Sequence, residues 1–321
     1  MKKQDIHLGH IESLRAIAAL MVLIFHFISF EDPKGPLVSN ESVRKYSEFG
    51  AQGVELFYLI SGFVIYYSLS KGVYGFKHYP KYLLKRITRI FPPFWGIILL
   101  ICLAPLMWDW PFPYSANQVV QNATLTVDLF GNTEWMNPIF VTLKVEFMFY
   151  LIIGLLVVVM KRNDWSYGII VFSSLVAAYY FCSFDLAHNI PFFLIGIVCC
   201  EIYKTRQIVL NYCLMASCLL FLCLFFPVED LVISLIGVVF LLWIPITNRA
   251  FRFTGQFSYS LYLTHGFSGG LFLTYCKNQK GVDWNPWVYI VLAVIGSLVF
   301  AYCYFLVIEK RAMGWSKGIR Y

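Results

Sequence analysis

The sequence predicts an all-α polytopic integral membrane protein, and three observations carry that reading. Of its 321 residues, 59% are apolar and 13% charged, against roughly 45–50% and 25% in an ordinary soluble domain. Mean hydropathy is +0.68 over the whole chain, and Phe, Tyr and Trp make up 19% of it. That leaves too few polar side chains to cover a soluble globule of this size. Third, ten apolar stretches approach the roughly 20 residues that a spanning helix needs. They run over 11–30, 49–70, 91–108, 139–160, 166–182, 188–203, 208–226, 231–247, 256–276 and 286–308.

The first stretch follows MKKQDIHLGH, an opening too polar for a cleavable signal, and lacks a small-residue cleavage pattern, so it is expected to remain as a helix. The second contains ELFYLISGFVIYY, in which Ser61-Gly62 is a small pair that permits close helix approach. The third is preceded by the basic segment KHYPKYLLKRITRIFPPFW, and the fourth carries FVTLKVEFMFYL. The next four rest on apolar length, 188–203 being the shortest. The ninth contains SYSLYLTHG, and the tenth ends about 13 residues before the last residue, so one domain over 1–321 and no appended soluble domain are expected.

Loop charge tests the count independently, because Lys and Arg collect on the cytoplasmic side. With the N-terminus inside, the inside segments hold 18 Lys and Arg, six of them in 71–90, and the outside segments hold 5. Ten helices with both termini cytoplasmic follow. The longest outside segment, 109–138, has no Lys or Arg but carries Trp110, Pro111, Pro113 and Trp135, with Trp108 at its edge; such a surface suits a sugar or lipid headgroup. A net charge of +7 reports loop placement here and gives no reason to invoke nucleic acid. The nine cysteines lie in or beside apolar runs without a C-x-x-C pair, as buried small hydrophobes do.

Among the ionisable residues inside the stretches, those that demand explanation are Arg15, His26, Lys144, Glu146 and His265. A charge at mid-bilayer costs at least ~2.5–3.5 kcal/mol, so such residues face a cavity or a partner. Arg15 and His26 are eleven apart, which returns to within ~20° of one helical face about 16 Å along the axis. Either a channel-lining stripe or a snorkelling Arg with a hydrogen-bonded His fits that spacing. Arg86 and Arg89, three apart, share a face and suit bidentate phosphate binding or anionic lipid. Lys144 and Glu146, two apart, point to different partners, whereas Glu146 and Tyr150 share a face. A carboxylate such as Glu146 can orient a histidine as base, or lock two helices as an ion pair. His265 reads as a substrate-side group or a satisfied buried histidine. No two of His26, Glu146 and His265 form a local metal-ligand pair, so no metal is expected.

In this order, IESLRAIAALMVLIFHF, LFYLISGFVI, RITRIFPPFW, TLKVEFMFYL and SYSLYLTH resemble the acyltransferase-3 family of polytopic membrane acyltransferases, across about residues 11–308. The resemblance implies a bacterial inner-membrane enzyme. It would move an acyl group, most often acetyl from acetyl-CoA, onto a hydroxyl of a cell-surface glycan or similar acceptor, with no metal. It implies that Arg15 and His26 are the family's R-x10-H, Arg86 and Arg89 its R-x-x-R for the CoA phosphates, and Glu146 the acid of its L-x-x-E-x-x-F-Y. Ser61-Gly62-Phe63 matches its S-G-F. The family's D-G-L-R-G opening is Glu12-Ser13-Leu14-Arg15-Ala16 here, and Val141 stands where Trp is usual. On this reading His26, as general base or as a nucleophile that is briefly acylated, and Glu146 are catalytic, Arg15, Arg86 and Arg89 bind the acyl-CoA, and Lys144, Ser61 and His265 bind substrate, with Lys144 or a backbone amide as the oxyanion donor. The rival reading is a small-molecule or lipid-linked-glycan transporter or flippase. The paired repeats or symmetrically broken helices common in carriers are not found.

Overall fold

The computed structural model describes residues 3–32, 35–108, 113–131, 133–204, 208–278 and 285–320. Its helices are α1 (Lys3–Ile28), α2 (Glu41–Ser47), α3 (Gly53–Ser70), α4 (Tyr79–Trp108), α5 (Ala116–Ala123), α6 (Val127–Phe130), α7 (Ile139–Met160), α8 (Asp164–Tyr180), α9 (Asp185–Tyr203), α10 (Ile208–Phe225), α11 (Val228–Leu242), α12 (Arg249–Gln256), α13 (Ser258–His265), α14 (Leu271–Asn278), α15 (Pro286–Tyr304) and α16 (Lys310–Gly318). A hairpin of two-residue strands, Glu31–Asp32 against Gly35–Pro36, is the β structure among the described residues. Each of the ten apolar stretches contains helix, although 243–247 of the eighth stretch lies outside α11 and is not helical. Among the described residues six helical segments are long and apolar enough to cross a membrane: Gly9–Ile28, Glu41–Ser70, Phe76–Pro105, Ile139–Met160, Asp185–Tyr203 and Pro286–Gly318. The shorter helices fall below that length for local reasons. α11 stops at Leu242, ahead of Pro245, and a proline disfavours helix in the residue before it.

Two turns of π-helix punctuate the last third of the chain. One, Gly266–Gly270, separates α13 from α14, and the other, Phe305–Glu309, joins α15 to α16. The second carries the helix well past 286–308, so Glu309 lies inside it.

Glycines set the closest helix crossings. α3 crosses α9 at Gly62 and Gly196: a Cβ at Gly62 would stand 2.2 Å from the Phe193 carbonyl oxygen, and one at Gly196 2.0 Å from that of Leu59. Such backbone approach is what small residues permit between membrane helices. α1 is held in the same way. A Cβ at Gly255 on α12 would meet the Glu12 carbonyl at 1.9 Å, and one at Gly53 that of Ala18 at 2.5 Å. The helix that carries Arg15 and His26 is therefore fixed on both flanks. α4 contains Pro92 and Pro93, which remove backbone donors from the helix interior. Beside them Tyr259 donates its hydroxyl to the Ile90 carbonyl at 3.0 Å, and Tyr304 donates to that of Pro93.

Candidate active site

A cavity of about 700 Å³ opens among α1, α3, α4, α12, α13 and α16. Its lining includes Arg15, Lys71, Arg89, Lys310 and Lys317 against Glu12 and Glu309, an excess of positive charge suited to a polyanion. Lys71 and Arg89 come from segment 71–90, and Lys310 and Lys317 from the C-terminal segment, both basic in the loop-charge reading. Glu309 is buried, and its carboxylate accepts the Ser260 backbone N–H at 3.1 Å and the Ser260 hydroxyl. The sequence reading missed it because the apolar run 286–308 stops one residue earlier.

Arg15 lines this cavity and also a second, much smaller one of about 40 Å³, whose other walls include Tyr58, Thr142, Glu146, Tyr259 and Tyr262. Its Nε is buried without a hydrogen-bond partner, a donor left for a ligand at the junction of the two spaces. Glu146 is half-buried, and one of its oxygens accepts from the Ser61 hydroxyl at 2.7 Å and from the Tyr150 hydroxyl. Ser61 and Glu146 are thus brought together across α3 and α7, and the next residue, Gly62, is the glycine that lets α3 approach α9. No hydrogen bond or ion pair joins Glu146 to His26. The orienting contact expected between them is absent because the carboxylate faces α3 and its own helix.

His26 instead meets His265. Their ring centroids are 5.2 Å apart with planes inclined by 30°. His26 is exposed at the end of α1 and His265 is 1% exposed on α13. Tyr262, in the wall of the small cavity, lies 6.0 Å ring to ring from His265 and shares a 2.6 Å hydrogen bond with Thr142. Arg15, Glu146 and Tyr262 thus share the wall of the small cavity, and Tyr262 stands beside the histidine pair.

The two R-x-x-R arginines part company. Arg89 lines the large cavity, whereas Arg86 is buried, its guanidinium 5.4 Å from the Tyr82 ring centre and 5.7 Å from that of Tyr150. Both distances are within cation–π range. Lys144 sits elsewhere. Its ammonium is bonded to Asp128 and Asp185 and stands 5.8 Å from the Trp135 ring centre. Those carboxylates come from α6 and the start of α9, so Lys144 ties the segment before α7 to the helix bundle. Asn122 completes that cap: its amide donates to the Gln118 and Glu134 carbonyls at 2.9 and 3.1 Å and accepts from the Met136 N–H at 2.9 Å. Trp110, Pro111 and the Trp108 side chain lie outside the described residues.

Comparison with known proteins gives one family. The family model described as an acyltransferase domain, acyltransferase-3, matches residues 8–306. No curated protein and no solved structure matches the chain.

Proposed function

Because the chain belongs to the acyltransferase-3 family, we propose that it carries an acetyl group from acetyl-CoA at its basic cavity to a hydroxyl of a glycan or similar acceptor across the bilayer. The observation that carries this reading is the position of Arg15, on the wall of both the 700 Å³ basic cavity and the 40 Å³ inner one beside Glu146. The first volume suits a nucleotide. The second is close to that of a single water molecule, about 30 Å³, and favours a thin acyl arm over a solute carried whole.

On this reading Arg89, Lys71, Lys310 and Lys317 hold the phosphates as charge-assisted hydrogen-bond donors, and Arg15 grips the donor where the arm enters the inner space. His26 is the general base. It takes the proton of the acceptor hydroxyl as the oxygen attacks the thioester carbonyl; the new C–O bond forms, the C–S bond breaks, and the CoA thiolate recovers a proton from the imidazolium. Glu146 stays with Ser61 and Tyr150, where it holds α3 and α7 in register around the arm. Lys144, engaged by two carboxylates, takes no part as an oxyanion donor. We further propose ten spans with both termini cytoplasmic, which puts the basic cavity on the side where acyl-CoA is made and the histidine pair toward the opposite leaflet, in a bacterial inner membrane.

The test is CoA release from acetyl-CoA by full-length protein in lipid nanodiscs, with water in place of the acceptor hydroxyl and acetate as the second product, followed by mass spectrometry. General-base catalysis contributes about 10²–10⁴-fold, so His26→Ala is expected to lower the rate at least 100-fold while acetyl-CoA still binds. Equal rates in the two proteins would refute the assignment.

A further inference from the structure

Resting on the reading of His26 as the base, we propose that His265 is its positioning residue: the buried imidazole accepts an N–H from His26 and so leaves the other His26 nitrogen free to take the hydroxyl proton. The argument begins with the tautomer. His265 Nδ1 stands 2.8 Å from the Tyr262 carbonyl oxygen and 3.2 Å from that of Leu261. A carbonyl only accepts, so Nδ1 carries the proton, and a neutral imidazole then keeps a bare lone pair on Nε2. The helix's own backbone thus fixes which nitrogen faces outward.

That Nε2 is buried with no hydrogen-bond partner, a desolvated acceptor whose lost water nothing replaces. Three rings surround the imidazole: Phe27 at 6.3 Å, Tyr262 at 6.0 Å and His26 at 5.2 Å between centroids. Phe27 has no polar hydrogen, and Tyr262 is engaged with Thr142. His26 has an N–H to give. Two imidazoles joined end to end by one N–H···N bond of about 2.9 Å have centroids about 5 Å apart, and the pair stands at that separation. A half turn of the exposed His26 ring about Cβ–Cγ exchanges its nitrogen and carbon edges and leaves the centroid in place, so the bond forms without any movement of α1 or α13. The arrangement gives His265 the place that an orienting group holds beside the base of a catalytic triad.

The experiment reads the nucleophilicity of His26 directly and needs no acceptor. Full-length protein in nanodiscs is treated with diethyl pyrocarbonate, which acylates an unprotonated imidazole nitrogen, and the modified peptides are quantified by mass spectrometry. His188, exposed on α9, is the reference within each sample. In His265→Leu, His26 is expected to react at least fivefold more slowly, and in His265→Gln, whose amide oxygen accepts the same N–H, within twofold of the wild-type rate. His265→Met repeats the apolar variant with an unbranched side chain. An unchanged His26 rate in either folded apolar variant, or a Gln variant no faster than Leu, overturns the proposal. CoA release by His26→Ala is measured alongside. Full activity there refutes the underlying reading, whereas an inactive His26→Ala with His26 equally reactive in every His265 variant refutes this inference alone.

Discussion

Arg86 and Arg89 are three residues apart on α4, share one helical face, and still meet different surroundings. Arg89 opens onto the large cavity while Arg86 is sandwiched by Tyr82 and Tyr150. A hydrogen bond to a charged group is worth about 1.5–3 kcal/mol, so Arg89→Ala is expected to weaken acetyl-CoA binding roughly tenfold or more, with no effect on S-acetylpantetheine, which lacks the nucleotide. Arg86→Ala is expected to leave acetyl-CoA affinity within twofold and to lower the unfolding temperature, since it empties a buried slot between two rings. Titration calorimetry and thermal unfolding check both; equal losses of affinity would mean that the pair acts as one phosphate clamp. The residue types were legible in the sequence because buried charge is rare and expensive in a bilayer. Their partners were not. Spacing puts Glu146 beside Tyr150 on one helix, but nothing in the chain's order tells that Ser61 on α3 approaches it, that His26 ends beside His265, or that Asp128 and Asp185 converge on Lys144 from two separate segments.

At the scale of the element, helix existence followed from apolar length, and helix ends and interruptions did not. The stretch 256–276 reads as one helix, and the structure divides it at Gly266–Gly270 into α13 and α14. The sequence marks Ser61-Gly62 as a small pair; which of the other glycines touch a neighbour depends on crossing geometry that no local pattern encodes. Their consequences are sharply graded. Gly196→Ala would place a methyl 2.0 Å from the Leu59 carbonyl oxygen, whereas a Cβ at Gly296 meets nothing within 4 Å. Overpacking of this kind typically costs about 1–3 kcal/mol or more. Gly196→Ala is therefore expected to reduce the folded yield and unfolding temperature, with Gly296→Ala indistinguishable from wild type. Size-exclusion profiles in detergent and thermal unfolding decide the matter, and equal behaviour of the two variants would remove backbone approach as the reason for Gly196.

For the whole molecule, the two segments richest in Lys and Arg are the ones that build the basic cavity, so the same side chains that set the loop-charge asymmetry also line the candidate site. If ten helices span, single cysteines placed at Lys77 and Lys317 in a cysteine-free background are labelled by a membrane-impermeant maleimide only after the cells are opened. One at Thr133 is labelled in intact cells. Labelling of Lys317→Cys in intact cells would overturn the even number of crossings. A last consequence concerns the two π turns, each of which holds one residue more than an α-helix of the same rise. Glu309 sits in the second, directly against the basic cavity. Loss of a single residue from 305–309 would let that turn relax to regular α-helix with Lys310 and Lys317 still on the cavity wall, whereas the same loss from α15, which has no residue to spare, would swing everything beyond it by about 100° and carry them off it. The turn is thus a spare residue held beside the site: the chain can give it up there and keep a geometry that a one-residue deletion in α15 would destroy.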